Sequence, residues 1–210
     1  MKLYNAPRAP SPRRVRIFMA EKGISIPLVD IDTRSGENLT EAFETINPRR
    51  LIPVLELDDG TRIDESVAIC RYLEALHPEP CLLGRGALDQ AVICSWQRHM
   101  EFDGYLVAAA VFRNTFPAFS QRGVAGMPAE FPAIPALAER SRRQYDRFMD
   151  LLNARLGESE YVAGPEFSIA DITGLVTVDF ARVVDMDIPE HHTDTRRWYD
   201  RVAGRPSASA

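Results

Sequence analysis

Ser11 is the only hydroxyl in NAPRAPSPRRV, residues 5–15, where three prolines and three arginines surround it. Such a residue at a helix start has two uses. It can accept from a free first-turn amide, since Ser-Pro is the expected N-cap followed by a proline at the first helical position. It can also donate to a thiolate, which the positive end of a helix favours over the thiol. Glu65-Ser66 stands where a strand gives way to a helix. There, backbone N–H groups and a hydroxyl can hold a carboxylate by charge-assisted hydrogen bonds, while a helix cap at Asp64 or Ser66 would draw on the same atoms. The three cysteines, Cys70, Cys81 and Cys94, form no C-x-x-C pair. The four histidines, His77, His99, His191 and His192, show no metal spacing. Neighbouring residues on a helix do not face each other, so no metal is expected.

The elements that must position these residues are legible from period and punctuation. KLYN (2–5) reads as a strand, RRVRIFMAEKG as a helix stopped by Gly23, and IPLVDI from Ile26 as a second strand. A short helix near Leu39–Ile46 ends at Asn47-Pro48, and PVLEL and TRID form a hairpin about Asp58-Asp59-Gly60. ESVAICRYLEAL is a further helix. The order β-α-β-α-β-β-α predicts a small mixed sheet with a right-handed parallel crossover and an antiparallel edge.

After HPEPCLLGRG no strand is expected. A long helix runs from Ala87 through Phe112, with Gly104 a point where it can bend, and Tyr145, Phe148, Met149, Leu152 and Leu156 mark the buried stripe of another. Residues 117–135 hold Pro117, Gly123, Gly126, Pro128, Pro132 and Pro135, a run of breakers that predicts a long, functional loop. Ser168 and Asp171 in FSIADI form an acidic capping box, and the tail after Gly204-Arg205-Pro206 is expected to fray. The expected division is 1–77, a linker over 78–86, and an all-α unit over 87–210.

Bulk properties narrow the partners. The 210 residues carry a net charge of −5 with scattered basic residues, which disfavours nucleic acid. No apolar run reaches the roughly 18 residues of a membrane span. The odd cysteine count fits a reducing cytoplasm better than a disulfide framework.

NPRRLIPVLELDDG resembles the Asn-Pro-x-x-x-Val-Pro-x-Leu segment of the cytosolic glutathione S-transferases, and DESVAICRYL resembles their Glu-Ser-x-x-Ile-x-x-Tyr-Leu segment. With FSIADI and the order of elements, the resemblance covers essentially the whole chain. It implies a thioredoxin-like N-terminal domain followed by an all-helical one, glutathione as co-substrate, a homodimer, and conjugation of the glutathione thiolate to small hydrophobic electrophiles. It further implies a cis bond at Ile52-Pro53 that frees the Ile52 backbone for the cysteinyl part of glutathione, with Glu65 and Ser66 at the γ-glutamyl end. Ser11 becomes the candidate thiol activator, in a loop similar to the asparagine-type (nu-like) bacterial and fungal members. An acceptor pocket would draw on Tyr105, Phe112, Phe116 and Phe119.

Two positions depart from the family pattern. Ala9 stands where serine-type members keep their activating serine, and Leu51 where many members hold the glycyl carboxylate with lysine or glutamine. Arg49, Arg50, Arg13 and Arg14 are possible substitutes at the second, and Tyr4 a fallback donor at the first. Two alternatives therefore stand beside the transferase: a glutathione-dependent disulfide or peroxide reductase on the same fold, and a non-catalytic binding or scaffold relative.

Overall fold

The computed structural model describes residues 1–127 and 129–210, so Pro128 of the breaker-rich loop lies outside the described residues. Strands β1 (Lys2–Asn5), β2 (Leu28–Asp30), β3 (Val54–Glu56) and β4 (Arg62–Asp64) form one sheet in the order β2-β1-β3-β4. β1 and β2 are parallel, with Leu3 opposite Leu28; β1–β3 and β3–β4 are antiparallel.

The period of two sorts the side chains between faces. Leu3 and Leu55 are buried with Val15, Phe18, Ile69 and Leu73, beneath α1 (Pro10–Glu21) and α3 (Ser66–Leu76). Tyr4 and Val54 go the other way, against Ile31 and Phe43 of α2 (Glu41–Glu44). Thr40 caps α2 by accepting from the Phe43 N–H.

The second half is helical, as expected: α4 (Ala87–His99), α5 (Leu106–Thr115), α6 (Pro135–Glu158), α7 (Ile169–Arg182) and α8 (Thr193–Ala203). Between α4 and α5 the chain does not break at Gly104. It widens into a π-helix over Met100–Tyr105, a form that recurs at functional sites. A Cβ on Gly104 would lie 2.7 Å from Phe148 Cζ, so glycine lets this segment lie against α6.

α7 is the buried axis, and Gly174 lets Trp198 of α8 rest on it. The capping box at its start is present: Ser168 Oγ accepts from Ala170 N–H, and Asp171 accepts from Ser168 N–H at 2.9 Å. Asp171 also takes Val162 N–H and Trp198 Nε1–H, both at 2.8 Å.

Two ties hold α1, one to α3 and the segment that follows it and one to the helical half. Lys22 Nζ, its side chain fully buried, donates to the carbonyls of His77 and Pro80 and pairs with Glu74 at 2.6 Å. The tail is the second, and it does not fray. Residues Pro206–Ser209 form a 3-10 turn with Ser207 and Ala208 buried; Arg13 donates to the Ala208 carbonyl, and Glu21 takes Arg205 and Ser207. Small residues fit this tight dock against α1, where sequence reasoning saw only flexibility. Among the described residues, no helix is long and apolar enough to cross a membrane.

Candidate active site

Ser11 is not the cap of α1. Proline at the first helical position moves the boundary two residues earlier than the Ser-Pro rule suggests, so the helix starts at Pro10 with Ala9 as an N-cap that offers no side-chain bond. Ser11 Oγ is free to face the helical half, where it lies 2.8 Å from Tyr105 Oη. Arg14, one turn on, donates to the same Ser11 oxygen at 3.3 Å and to Glu101 Oε1 at 2.7 Å, and its guanidinium stacks 4.7 Å over the Tyr105 ring. Tyr105 and Glu101 both come from the π-helix, which thus brings two polar groups to the start of α1.

The protons in this cluster can be counted. Two hydroxyls share one hydrogen bond, so one of their two protons is used between them and the other remains to donate outward. Arg14 occupies a lone pair of Ser11 and makes its proton the more acidic. The loop before α1 is held by Arg16, which donates to Asn5 Oδ1 at 2.6 Å and to the Pro7 carbonyl at 2.9 Å. Tyr4 is buried with its hydroxyl on Glu56 at 3.1 Å, which removes it as a fallback donor.

At the same end of the sheet, where Val54 pairs with Tyr4, the Ile52–Pro53 bond is cis. Among the described residues, no hydrogen bond uses the Ile52 N–H or carbonyl. Glu65 is the N-cap of α3 at φ 68°, a left-handed conformation unusual for its type, and caps nothing with its side chain. Ser66 is buried, and its Oγ has no hydrogen-bond partner. A buried, unsatisfied hydroxyl costs free energy, about 1–3 kcal/mol, unless a ligand completes it. The expected capping role of Asp64 or Ser66 is therefore not observed.

The arginines offered as substitutes for a glycyl-carboxylate lysine are all engaged. Arg49 pairs with Asp64 and Glu65, Arg50 with Glu44, Arg13 with Asp179, and Arg14 with Glu101. Leu51 has a packing role instead. The loop of residues 116–134 arches back until Gly126, at φ +74°, meets Leu51, and a Cβ there would strike the Arg49 carbonyl. Asn114 closes this loop by accepting from Ile134 N–H at 2.7 Å.

The four acceptor candidates do converge. Phe112 is central, with ring centroids 4.8 Å from Phe116, 5.1 Å from Phe119 and 5.2 Å from Phe180, and Tyr105 lies 5.8 Å from Phe180. Phe180 was missed because the apolar run of α7 reads as core throughout. The roles of Glu101 and Arg14 were missed because no periodicity announces an ion pair between distant segments.

A thioredoxin-like sheet domain joined to a helical domain is the architecture of glutathione transferases. Residues 9–76 match the glutathione S-transferase N-terminal domain family and residues 135–201 the C-terminal domain family. Glutathione S-transferase 2 of Saccharomyces cerevisiae is 35% identical over 209 residues, 99% of this chain and 87% of that one. Among solved structures, a glutathione S-transferase domain-containing protein of Marinobacter aquaeolei has a TM-score of 0.91 at 34% identity, covering 99% of each chain. Gtt2 of S. cerevisiae superposes with a TM-score of 0.91 at 34% identity over 99% of this chain and 98% of that one. This chain belongs to the glutathione S-transferase family.

Proposed function

We propose that the chain is a glutathione transferase that binds the tripeptide along the N-terminal sheet, favours its thiolate at the start of α1, and directs it at a small hydrophobic electrophile. Ser66 Oγ and the first amides of α3 take the γ-glutamyl carboxylate, the Ile52 backbone pairs with the cysteinyl unit, and Glu65 faces the ligand ammonium. The sulfur lies by Ser11 and Tyr105, and the Phe112–Phe116–Phe119–Phe180 cluster lines the acceptor side. The sheet unit divides from the helical one at 78–86. Exposed Leu76, Leu88, Phe102 and Leu106 support a homodimer built on α3, α4 and α5. Three unpaired cysteines support a cytoplasmic setting, with detoxification as the role.

The observation that carries this reading is the hydroxyl proton left over from the Ser11–Tyr105 pair. A cysteine thiol titrates near 8.5, and lowering that by two units takes about 2.7 kcal/mol. One hydrogen bond to a charged group supplies about 1.5–3 kcal/mol, so a single donor is enough. The protein's own thiols are poorly placed for the reductase alternative. None lies in the α1 loop, and burial pushes Cys70 up to about 12.

Ultraviolet titration of glutathione bound to the wild type, Ser11→Ala and Tyr105→Phe is the test. Each single substitution leaves one hydroxyl with its own proton to donate, so each is expected to raise the thiol pKa by less than the Ser11→Ala/Tyr105→Phe double variant, for which the rise is about one to two units. Unchanged titration in the double variant overturns the mechanism. No binding of glutathione by calorimetry at millimolar ligand would favour the scaffold, and turnover of a small disulfide far exceeding that of a chlorinated aromatic would favour the reductase.

A further inference from the structure

Far along the helical unit, the fold gathers residues whose sequence spacing gave no signal. His191 and His192 do not lie within a helix; they occupy the turn before α8, with His192 as its N-cap. The rule that adjacent helical residues diverge therefore does not apply. Their rings stand 4.4 Å apart at 73°, and His192 Nε2 lies 3.0 Å from Asp150 Oδ1 of α6. One ligand atom from each of the three residues falls within 4.8 Å of the others.

We propose that Asp150, His191 and His192 bind one divalent transition-metal ion of the zinc or nickel type, pinning the start of α8 to α6. Zinc holds nitrogen and oxygen ligands at about 2.0–2.2 Å in a tetrahedron, which sets neighbouring ligand atoms roughly 3.3–3.5 Å apart. The His192–Asp150 pair is close to that spacing already. His192 is the fixed member, 4% exposed, its N–H bonded to the Pro189 carbonyl and its own carbonyl accepting from Arg196 N–H. The other two are free to adjust: the Asp150 side chain is 71% exposed and His191 is exposed. Water completes the coordination. Two imidazoles select a borderline transition metal over magnesium or calcium, which take oxygen ligands.

The ion binds residues that only the folded chain brings together, so it stabilises that state. None of these residues belongs to the proposed active site, and the test needs no activity measurement. Untagged full-length protein is titrated calorimetrically with Zn2+, Ni2+ and Mg2+, with thermal unfolding in parallel. One saturable site is expected for Zn2+ and Ni2+, with a raised Tm, and none for Mg2+. His191→Ala and Asp150→Asn, both at exposed positions and checked for an unchanged metal-free Tm, are each expected to weaken binding at least about tenfold. Cobalt added to the wild type should give no thiolate charge-transfer band, and Cys81→Ser/Cys94→Ser should bind as the wild type does. The proposal is overturned by absence of saturable binding at about 100 µM ion, by binding that survives both site variants, or by binding lost with the cysteines.

Discussion

Three helices in this chain begin beside a serine, and only one of those serines caps its helix. At α7, Ser168 and Asp171 satisfy each other's backbone and leave nothing open. At α1, the first turn carries Pro10 and Pro12, which have no N–H, so the Ser11 amide is its one free donor, and it has no backbone partner among the described residues. At α3, Glu65 offers no cap and the Ser66 hydroxyl is buried alone. A helix start completed by its own side chains is structural. The two starts left incomplete, both at the end of the sheet where β1 and β4 finish, are the ones to which the proposed function assigns an anion.

The strongest way to sharpen this contrast is to break the completed start. Asp171→Ala would leave Val162 N–H, Ser168 N–H and Trp198 Nε1–H buried without an acceptor, and is expected to cost about 3 kcal/mol or more in urea denaturation. Burial also pushes the Asp171 carboxyl up to about 6, although four hydrogen bonds pull it down. Its unfolded value is about 3.9, so between roughly pH 4 and 6 the folded chain holds a proton that the unfolded chain has released. Stability from this group is full below that window and falls as pH rises through it, by an amount on the order of 3 kcal/mol. Denaturation midpoints across the window should show this slope in the wild type and lose it in Asp171→Asn.

Ser66→Ala should do the opposite at the incomplete start of α3. Glutathione affinity is expected to fall about 10- to 150-fold, the equivalent of one charge-assisted bond of about 1.5–3 kcal/mol. The ligand-free Tm should not fall, because the substitution removes a buried hydroxyl that nothing satisfies. A Tm loss with unchanged affinity would make Ser66 a structural residue like Ser168.

The same contrast explains what the sequence could convey. Alternation in KLYN and PVLEL, the breaker Asp59-Gly60 and the Ser168–Asp171 spacing are local signals, and each element they predict is present. The convergence of the aromatics offered for an acceptor pocket was legible for the same reason, since Phe112, Phe116 and Phe119 lie within two turns or so of one another in the chain. What was not legible joins residues far apart: Ser11 with Tyr105, Arg14 with Glu101, Leu51 with Gly126, Asp150 with His191 and His192. Even the error at α1 has a local cause. Ser11-Pro12 fits the N-cap rule, but Pro10-Ser11 extends the helix by two residues, and only the dihedral angles of Ala9, −82° and 138°, show which proline opens it.

Ala9→Asp carries the smallest expected effect and sets the two kinds of helix start directly against each other. Ala9 already has the extended backbone of an N-cap, so a carboxylate there would accept from the Ser11 N–H, the only amide the two prolines leave available. With the helix dipole, this should stabilise the ligand-free chain by about 0.5–1 kcal/mol, readable as a rise in Tm. The added charge would also occupy the donor and repel the anion that the start of α1 is proposed to favour, so the pKa of bound glutathione should rise and turnover fall. Stability and activity then move in opposite directions from one substitution. If they rise together, the open start of α1 is not held in reserve for the thiolate, and Ser11 and Tyr105 bind each other for packing alone.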